Sequence, residues 1–387
     1  MTIKMSGIVL IESARCIGCA ACASVCPTNS ITMKEDCEGF LQPKIDKKTC
    51  IKCHKCERVC PILNKEISQG DMETKAYAAI NKDDIIRAKS SSGGVFHVLA
   101  KWTIEKGGVV FGARFDDNWE VMHDYSESIE GVIPFMGSKY VQSRIGDSYK
   151  HTKNFLEQGR WVLFSGTPCQ LAGLRAYLGK KYERLIQVDL ICHGVPSPSV
   201  WRSYLKDFVT DGEILSVSFR DKEEGWLHFQ NVTTTTTTTT IREHQMANPY
   251  FRGFLKNVYL RKSCYNCEFR TYQRYSDITL GDYWGVNELC PEMFDDKGTS
   301  MVFVHTAKGE AVLSKLNSEV EILPQTKDSA IKYNPSMDRE NPKDLKRSRF
   351  FRIFRLTSLK KSSFVIDKDP LYKRVLRKAK KVLCHML

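Results

Sequence analysis

The stretches that decide the N-terminal fold are CIGCAACASVCP at residues 16–27 and CIKCHKCERVCP at residues 50–61. Each has the spacing C-x2-C-x2-C-x3-C-P, and the second begins 34 residues after the first. Three cysteines at such short intervals can wrap one iron–sulfur cube, while the fourth lies too far round the loop to close it. The pattern predicts two 4Fe–4S clusters that exchange their fourth ligands. Cys16, Cys19, Cys22 and Cys60 hold one; Cys50, Cys53, Cys56 and Cys26 hold the other. Zinc is the plain alternative, but it usually takes two well-separated C-x2-C pairs.

Outward from these runs, residues 1–68 read as an α+β ferredoxin-like module. Glu38-Gly39-Phe40 and Pro43 suggest a hairpin turn and strand joining its halves. Cys37 lies outside the pattern and reads as an ordinary thiol. Residues 64–75 are polar and unpatterned, as in a linker.

The whole chain has 387 residues, 42% hydrophobic and 27% charged, which fits a soluble globular protein of two or three domains. Fifteen cysteines in a chain of this length favour metal ligation in a reducing compartment over a disulfide scaffold. The N-terminus reads as lacking a signal peptide, and no run of 18 apolar residues exists, so a cytoplasmic location is expected. The net charge of +13 is local: residues 341–387 hold fifteen Lys/Arg against three Asp, or +12. This argues against a nucleic-acid-binding body. Within that basic tail, Leu371, Val375, Ala379, Leu383 and Met386 fall near one helical face. Such a helix suits an anionic membrane surface, giving a membrane-peripheral location, or an acidic partner; a solvated helix is the plain reading.

Residues 69–340 read as an α/β domain with a partly parallel sheet. Residues 76–80, 109–115, 161–165, 185–191 and 301–305 suggest strands, with a helix from Val95 ended by Gly107-Gly108. Residues 161–191 form strand, loop, helix, strand, which predicts parallel pairing. Cys169 and Cys192 then lie at the carboxyl ends of strands, where open α/β sheets carry their sites. Residues 215–220 and 227–232 also suggest strands. The eight threonines at 233–240 read as one exposed extended strand or hairpin arm.

Cys264 and Cys267 form a further C-x2-C pair. With Cys169 and Cys192 they supply the four thiolates that a third 4Fe–4S cluster needs; a zinc knuckle or redox pair beside two buried thiols is the alternative. Ser91, Ser92, Gly93 and Gly94 precede a helix start whose free N–H groups suit a phosphate, though an ordinary capped turn explains them equally. There is no G-x-G-x-x-G. Lys139 suits a phosphate or a solvated surface. Asp189 suits buried hydrogen bonding, and His193 a proton donor or a hydrogen bond behind the cluster.

The segments SSSGGVFHVLA, SKYVQS, FSGTPCQLAGL, DLICHGVPSP, RDKEEGW and CYNCEFR with SDITLGDYWG, in this order over about residues 75–300, resemble the family of coenzyme F420 hydrogenase and dehydrogenase beta subunits. The resemblance implies an FAD- and iron–sulfur-dependent oxidoreductase, with the third cluster on Cys169, Cys192, Cys264 and Cys267. It implies FAD near Ser91, Ser92, Gly93, Gly94, Ser138, Lys139, Tyr140, Gln142, Thr167, Pro168, Asp282 and Trp284. It also implies a small-molecule substrate or F420-like coenzyme and a redox-protein partner. Two other roles fit: an F420-reducing subunit of a larger complex, and an electron relay without its own substrate.

Overall fold

The computed structural model describes residues 10–64, 71–237, 239–272, 274–337, 341–342 and 345–367. At the N-terminus, β1 (Ile31–Glu35) and β2 (Leu41–Ile45) form an antiparallel hairpin. Asp36 Oδ1 shapes its turn by accepting from the Glu38 and Phe40 N–H groups at 2.9 and 3.0 Å. Each cysteine run leads into a short helix, Ala21–Ser24 or Lys55–Arg58. Before each helix the chain takes positive φ twice, at Gly18 and Ala20 and again at Lys52 and His54. These paired left-handed residues repeat the 34-residue period in the backbone. They curl each loop tightly.

The remaining strands are β3 (Lys75–Asn81), β4 (Val109–Phe115), β5 (Val121–Ser126), β6 (Val162–Gly166), β7 (Leu185–Leu190), β8 (Ile214–Asp221), β9 (Gln230–Thr235), β10 (Thr240–His244), β11 (Ile278–Asp282), β12 (Ser300–Val304) and β13 (Val320–Gln325). Among the described residues, eight of the strands build one sheet in the order β13-β3-β12-β11-β7-β6-β4-β5. Its centre, β4-β6-β7-β11, is parallel, and antiparallel strands flank it. The fold is therefore α/β with a partly parallel sheet. Period-two alternation explains the two cores. Val109, Phe111, Val162 and Phe164 face one layer, with Tyr149, Leu171 and Leu174. Val110 and Leu163 face the other, with Val98 and Leu99 from the helix Val95–Glu105. Burial on both faces is what makes the central strands read as continuous apolar runs.

The threonine run follows the hairpin alternative, but it is not exposed throughout: Thr233 and Thr235 are buried on β9, the chain then turns, and Thr240 begins β10. The turn is fixed by its neighbours, with Thr236 accepting from the Glu213 N–H at 3.0 Å and Thr239 donating to Asp211 at 2.8 Å.

Much of the basic C-terminal stretch also packs inward. Phe350, Phe351, Leu359, Val365 and Ile366 join an aromatic core with Phe40, Trp201 and Tyr259. Arg347 bonds both oxygens of Glu38 at 2.9 and 2.5 Å, tying this segment to the N-terminal hairpin. The expected amphipathic helix over 371–386 lies outside the described residues. No helix of the described residues is long and apolar enough to cross a membrane.

Candidate redox site

Cys16, Cys19, Cys22 and Cys60 line one small apolar cavity with Ala21, Met33 and Ile62; Cys56 reaches its wall. Burial pushes the Cys19 thiol up to about 12, and the nearby Cys16 and Cys60 add to the rise. Cys22 is raised by burial and by Cys19, Cys16 and Cys60. Thiols gathered in one cavity, which would repel one another as thiolates, fit a cationic metal cluster, which deprotonates its ligands outright. At the second run, burial raises Cys56 and the neighbouring Cys53 contributes. Cys26 is partly desolvated, but hydrogen bonds from Thr28 and the Ser30 and Ile31 N–H groups hold it below its usual value.

The second cysteine set converges on the carboxyl edge of the parallel strands. Cys169 follows β6 at the start of the helix Pro168–Leu178. Thr167 caps that helix in a reciprocal pairing with Gln170, and its hydroxyl lies 3.1 Å from the Cys169 sulfur. Cys192 follows β7, and Arg270 donates to its carbonyl at 3.1 Å. Cys264 ends a single 3-10 turn and accepts from the Val195 N–H at 3.4 Å. Burial drives the Cys169 thiol well up, with Cys267, Cys192 and Cys264 adding to it. Burial likewise pushes Cys192 up to about 11 and Cys264 to about 12. Among the described residues, no three His, Cys, Asp or Glu side chains close on a single metal ion. What links Cys169, Cys192, Cys264 and Cys267 is the charge each would exert on its neighbours as a thiolate.

The two cysteine systems adjoin. Cys60, Cys169 and Cys267 pack against one apolar patch formed by Ile62, Ala172 and Phe269. Gly173 faces Cys19 so closely that an added Cβ would lie 2.8 Å from Cys19 Cβ and 3.0 Å from its sulfur. Arg261 and Ser263 both donate to the Cys16 carbonyl, at 2.7 and 3.1 Å. A cavity of about 470 Å³ opens beside this junction, lined by Arg15, Ile17, Ile62, Ser263, Asn266 and Glu268 among others.

The residues expected near FAD divide into groups. Ser91 and Ser138 meet, hydroxyl to hydroxyl at 2.8 Å, and the Ser138 N–H donates to Ser91 Oγ at 2.7 Å. Tyr140, Asp282 and Trp284 lie around the same junction through Arg220. Gly94, at φ 81, precedes the helix Val95–Glu105 without a side-chain cap. Ser92 and Gly93 instead brace the fold, bonding Thr299 O and Ser300 Oγ at 2.8 and 3.0 Å. Lys139 Nζ is held by the carbonyls of Pro134 and Met136 at 2.6 and 2.7 Å, and burial lowers it to about 7. Gln142 turns toward the N-terminal module, accepting from Leu41 N and Arg261 at 3.4 and 3.2 Å. Thr167 and Pro168 belong to the Cys169 turn.

His193 joins the two regions. Its ring lies edge-on to Phe254 at 4.8 Å, and Phe254 lies 5.0 Å from Tyr140, between ring centroids. Asp189 is buried beside Arg274 and Thr279, in keeping with structural hydrogen bonding. Arg220, Trp226 and Lys222 were not singled out from sequence. The only signal was the segment RDKEEGW, which contains all three.

Two stretches of the chain match known protein families. Residues 15–63 match the 4Fe-4S dicluster domain. Residues 159–328 match the family described as the C terminus of the coenzyme F420 hydrogenase/dehydrogenase beta subunit. Among curated proteins, the F subunit of the F(420)H(2) dehydrogenase of Methanosarcina mazei is 24% identical over 328 residues, covering 81% of this chain and 85% of that protein. Among solved structures, one from the F420-reducing [NiFe] hydrogenase complex of Methanosarcina barkeri matches with a TM-score of 0.47 and 18% identity, covering 71% of this chain and 89% of that one. The chain thus carries a 4Fe-4S dicluster match over residues 15–63, set ahead of a region, residues 159–328, that is similar to the C terminus of coenzyme F420 hydrogenase/dehydrogenase beta subunits.

Proposed function

We propose that the chain is an iron–sulfur flavoprotein oxidoreductase that carries electrons between its dicluster domain, a third 4Fe–4S site and FAD, exchanging them with a small molecule such as an F420-like coenzyme. The observation that carries this reading is the junction at which Cys60, Cys169 and Cys267 share one apolar patch. It supports a continuous route rather than two unrelated metal sites. When bound, the clusters supply one-electron transfer and the flavin links it to two-electron hydride chemistry.

The chain's own residues do the positioning. Cys16, Cys19, Cys22 and Cys60 would hold the first cluster, Cys50, Cys53, Cys56 and Cys26 the second, and Cys169, Cys192, Cys264 and Cys267 the third. Ser91, Ser138, Tyr140, Asp282 and Trp284 would line the flavin site, and the uncapped helix after Gly94 offers N–H donors to a phosphate. The apolar patch keeps water away from the thiol junction. Lys139 has its charge spent on backbone carbonyls and fixes its loop. The relatives' names support a second role, as one component of a larger hydrogenase or dehydrogenase assembly with a redox-protein partner.

Anaerobic purification with iron, sulfide and flavin quantified tests the reading. About twelve irons per chain are expected for three cubes, with one FAD. About eight irons and no flavin would leave an electron relay without its own substrate.

A further inference from the structure

The Ser91–Ser138 junction and the end of β11 share one buried cation. Arg220, at the end of β8, is 5% exposed. It bonds both oxygens of Asp282 at 2.9 and 3.2 Å, the Tyr140 hydroxyl at 3.4 Å and the Ser91 carbonyl at 3.3 Å. Its guanidinium lies over the Phe229 ring at 3.9 Å and 5.2 Å from the centre of Trp284. Trp284 in turn stacks on Trp226 at 4.9 Å, with 4° between the ring planes. Trp226 Nε1 donates to Asp282 Oδ1 at 3.2 Å.

Two features exceed what holding the fold together requires. Arg220 Nε is buried without a hydrogen-bond partner, and leaving such a donor unmet is destabilising. The surroundings are also charge-rich. Lys222 Nζ donates to the carbonyls of Arg87 and Ser92 at 2.6 and 3.1 Å; burial and the Arg87 and Arg220 charges lower it to about 7. Arg87 is paired with Asp295 at 2.7 and 2.5 Å. Three cations therefore face two carboxylates beside an aromatic wall. That combination suits a flat aromatic ligand that gains negative charge.

We propose that Arg220 is a positioning residue of the flavin site, its fixed charge favouring the reduced over the oxidised flavin, with Asp282 opposing it. This rests on the flavin reading above. The charge argument fixes signs. Removing the positive group weakens binding of the electron-rich form, and removing the carboxylate strengthens it. A structural role predicts no such opposition, because loosening the pair from either side disturbs the same contacts.

The test measures the two-electron midpoint of the flavin in the intact protein and its Arg220→Met, Arg220→Lys and Asp282→Asn variants, with flavin affinity from fluorescence titration alongside. Arg220→Met should lower the midpoint and Asp282→Asn raise it, each by tenfold or more in relative affinity for the two forms, or about 30 mV for two electrons. Arg220→Lys should recover most of the loss. If Arg220→Met does not fold, the sign for Asp282→Asn decides alone. Shifts of the same sign, or none, overturn the proposal while the flavin reading stands. A wild-type protein that binds no flavin overturns both.

Discussion

Replacing Gly173 by alanine sets two effects of opposite sign against each other. Gly173 lies within the helix Pro168–Leu178, where alanine ordinarily stabilises by about 1 kcal/mol. Here the new Cβ would lie 2.8 Å from Cys19 Cβ, 2.9 Å from the Tyr149 hydroxyl and 3.0 Å from the Cys19 sulfur. Carbon contacts are comfortable only at roughly 3.5–4.0 Å. Something must therefore move, and overpacking of this kind costs about 1–3 kcal/mol. Tyr149 cannot yield freely, because its hydroxyl donates to the Gln170 carbonyl at 2.7 Å, a bond whose loss adds about 1 kcal/mol. The sum is a net destabilisation of about 1–3 kcal/mol, concentrated where the N-terminal module meets the Cys169 helix. Anaerobic urea unfolding measures it, and the rate at which a chelator strips iron reports whether the Cys19 loop has loosened. A Gly173→Ala protein more stable than wild type by the full helical gain would refute the close docking of module on domain.

Arg347→Ala leaves the largely buried Glu38 without its main partner; a loss of about 3 kcal/mol is expected in equilibrium unfolding, and a change below about 1 kcal/mol would reduce the pair to a surface contact. Cys264→Ser with Cys267→Ser should lower iron by about four atoms per chain, measured after anaerobic purification. Burial, aided by the Arg274 charge, lowers His305 from 6.5 to about 3. The folded state therefore binds fewer protons than the unfolded chain between those values, so stability is complete above about pH 6.5 and falls as the pH drops toward 3. This one group should cost about 2 kcal/mol between roughly pH 6.5 and 5, and His305→Gln should flatten that part of the stability–pH curve relative to wild type.

Local spacing made the cysteine runs legible, because a cluster loop needs its thiols at fixed short intervals. The β6–helix–β7 unit was legible for the same reason: its apolar runs and Gly-Thr-Pro punctuation are local. Arg220 was hidden because its meaning lies in partners 62 and 80 residues away, Asp282 and Tyr140. An isolated arginine after a strand looks like a solvated end. The C-terminal stretch misled for a related reason. Its arginines and lysines dominate the charge count, yet Phe350 and Phe351 bury one face, and Arg347 finds Glu38 across 309 residues. Gln142 shares a segment with Tyr140, but its side chain turns the other way, toward Arg261.

The bond from Arg261 to the Cys16 carbonyl spans 245 residues, and this separation has a consequence during synthesis. At roughly 5–20 residues per second, the ribosome needs on the order of 10–50 s to make Arg261 after Cys16 has emerged. Until that interval ends, the wall that Gln142, Gly173 and Arg261 together provide around the first cysteine loop is incomplete. A cluster loaded early is then open to water and oxidants on one side, and arrival of the distal segment closes it in. Oxygen sensitivity should therefore be greatest in the nascent chain and in truncations ending before residue 261, well above that of the finished protein.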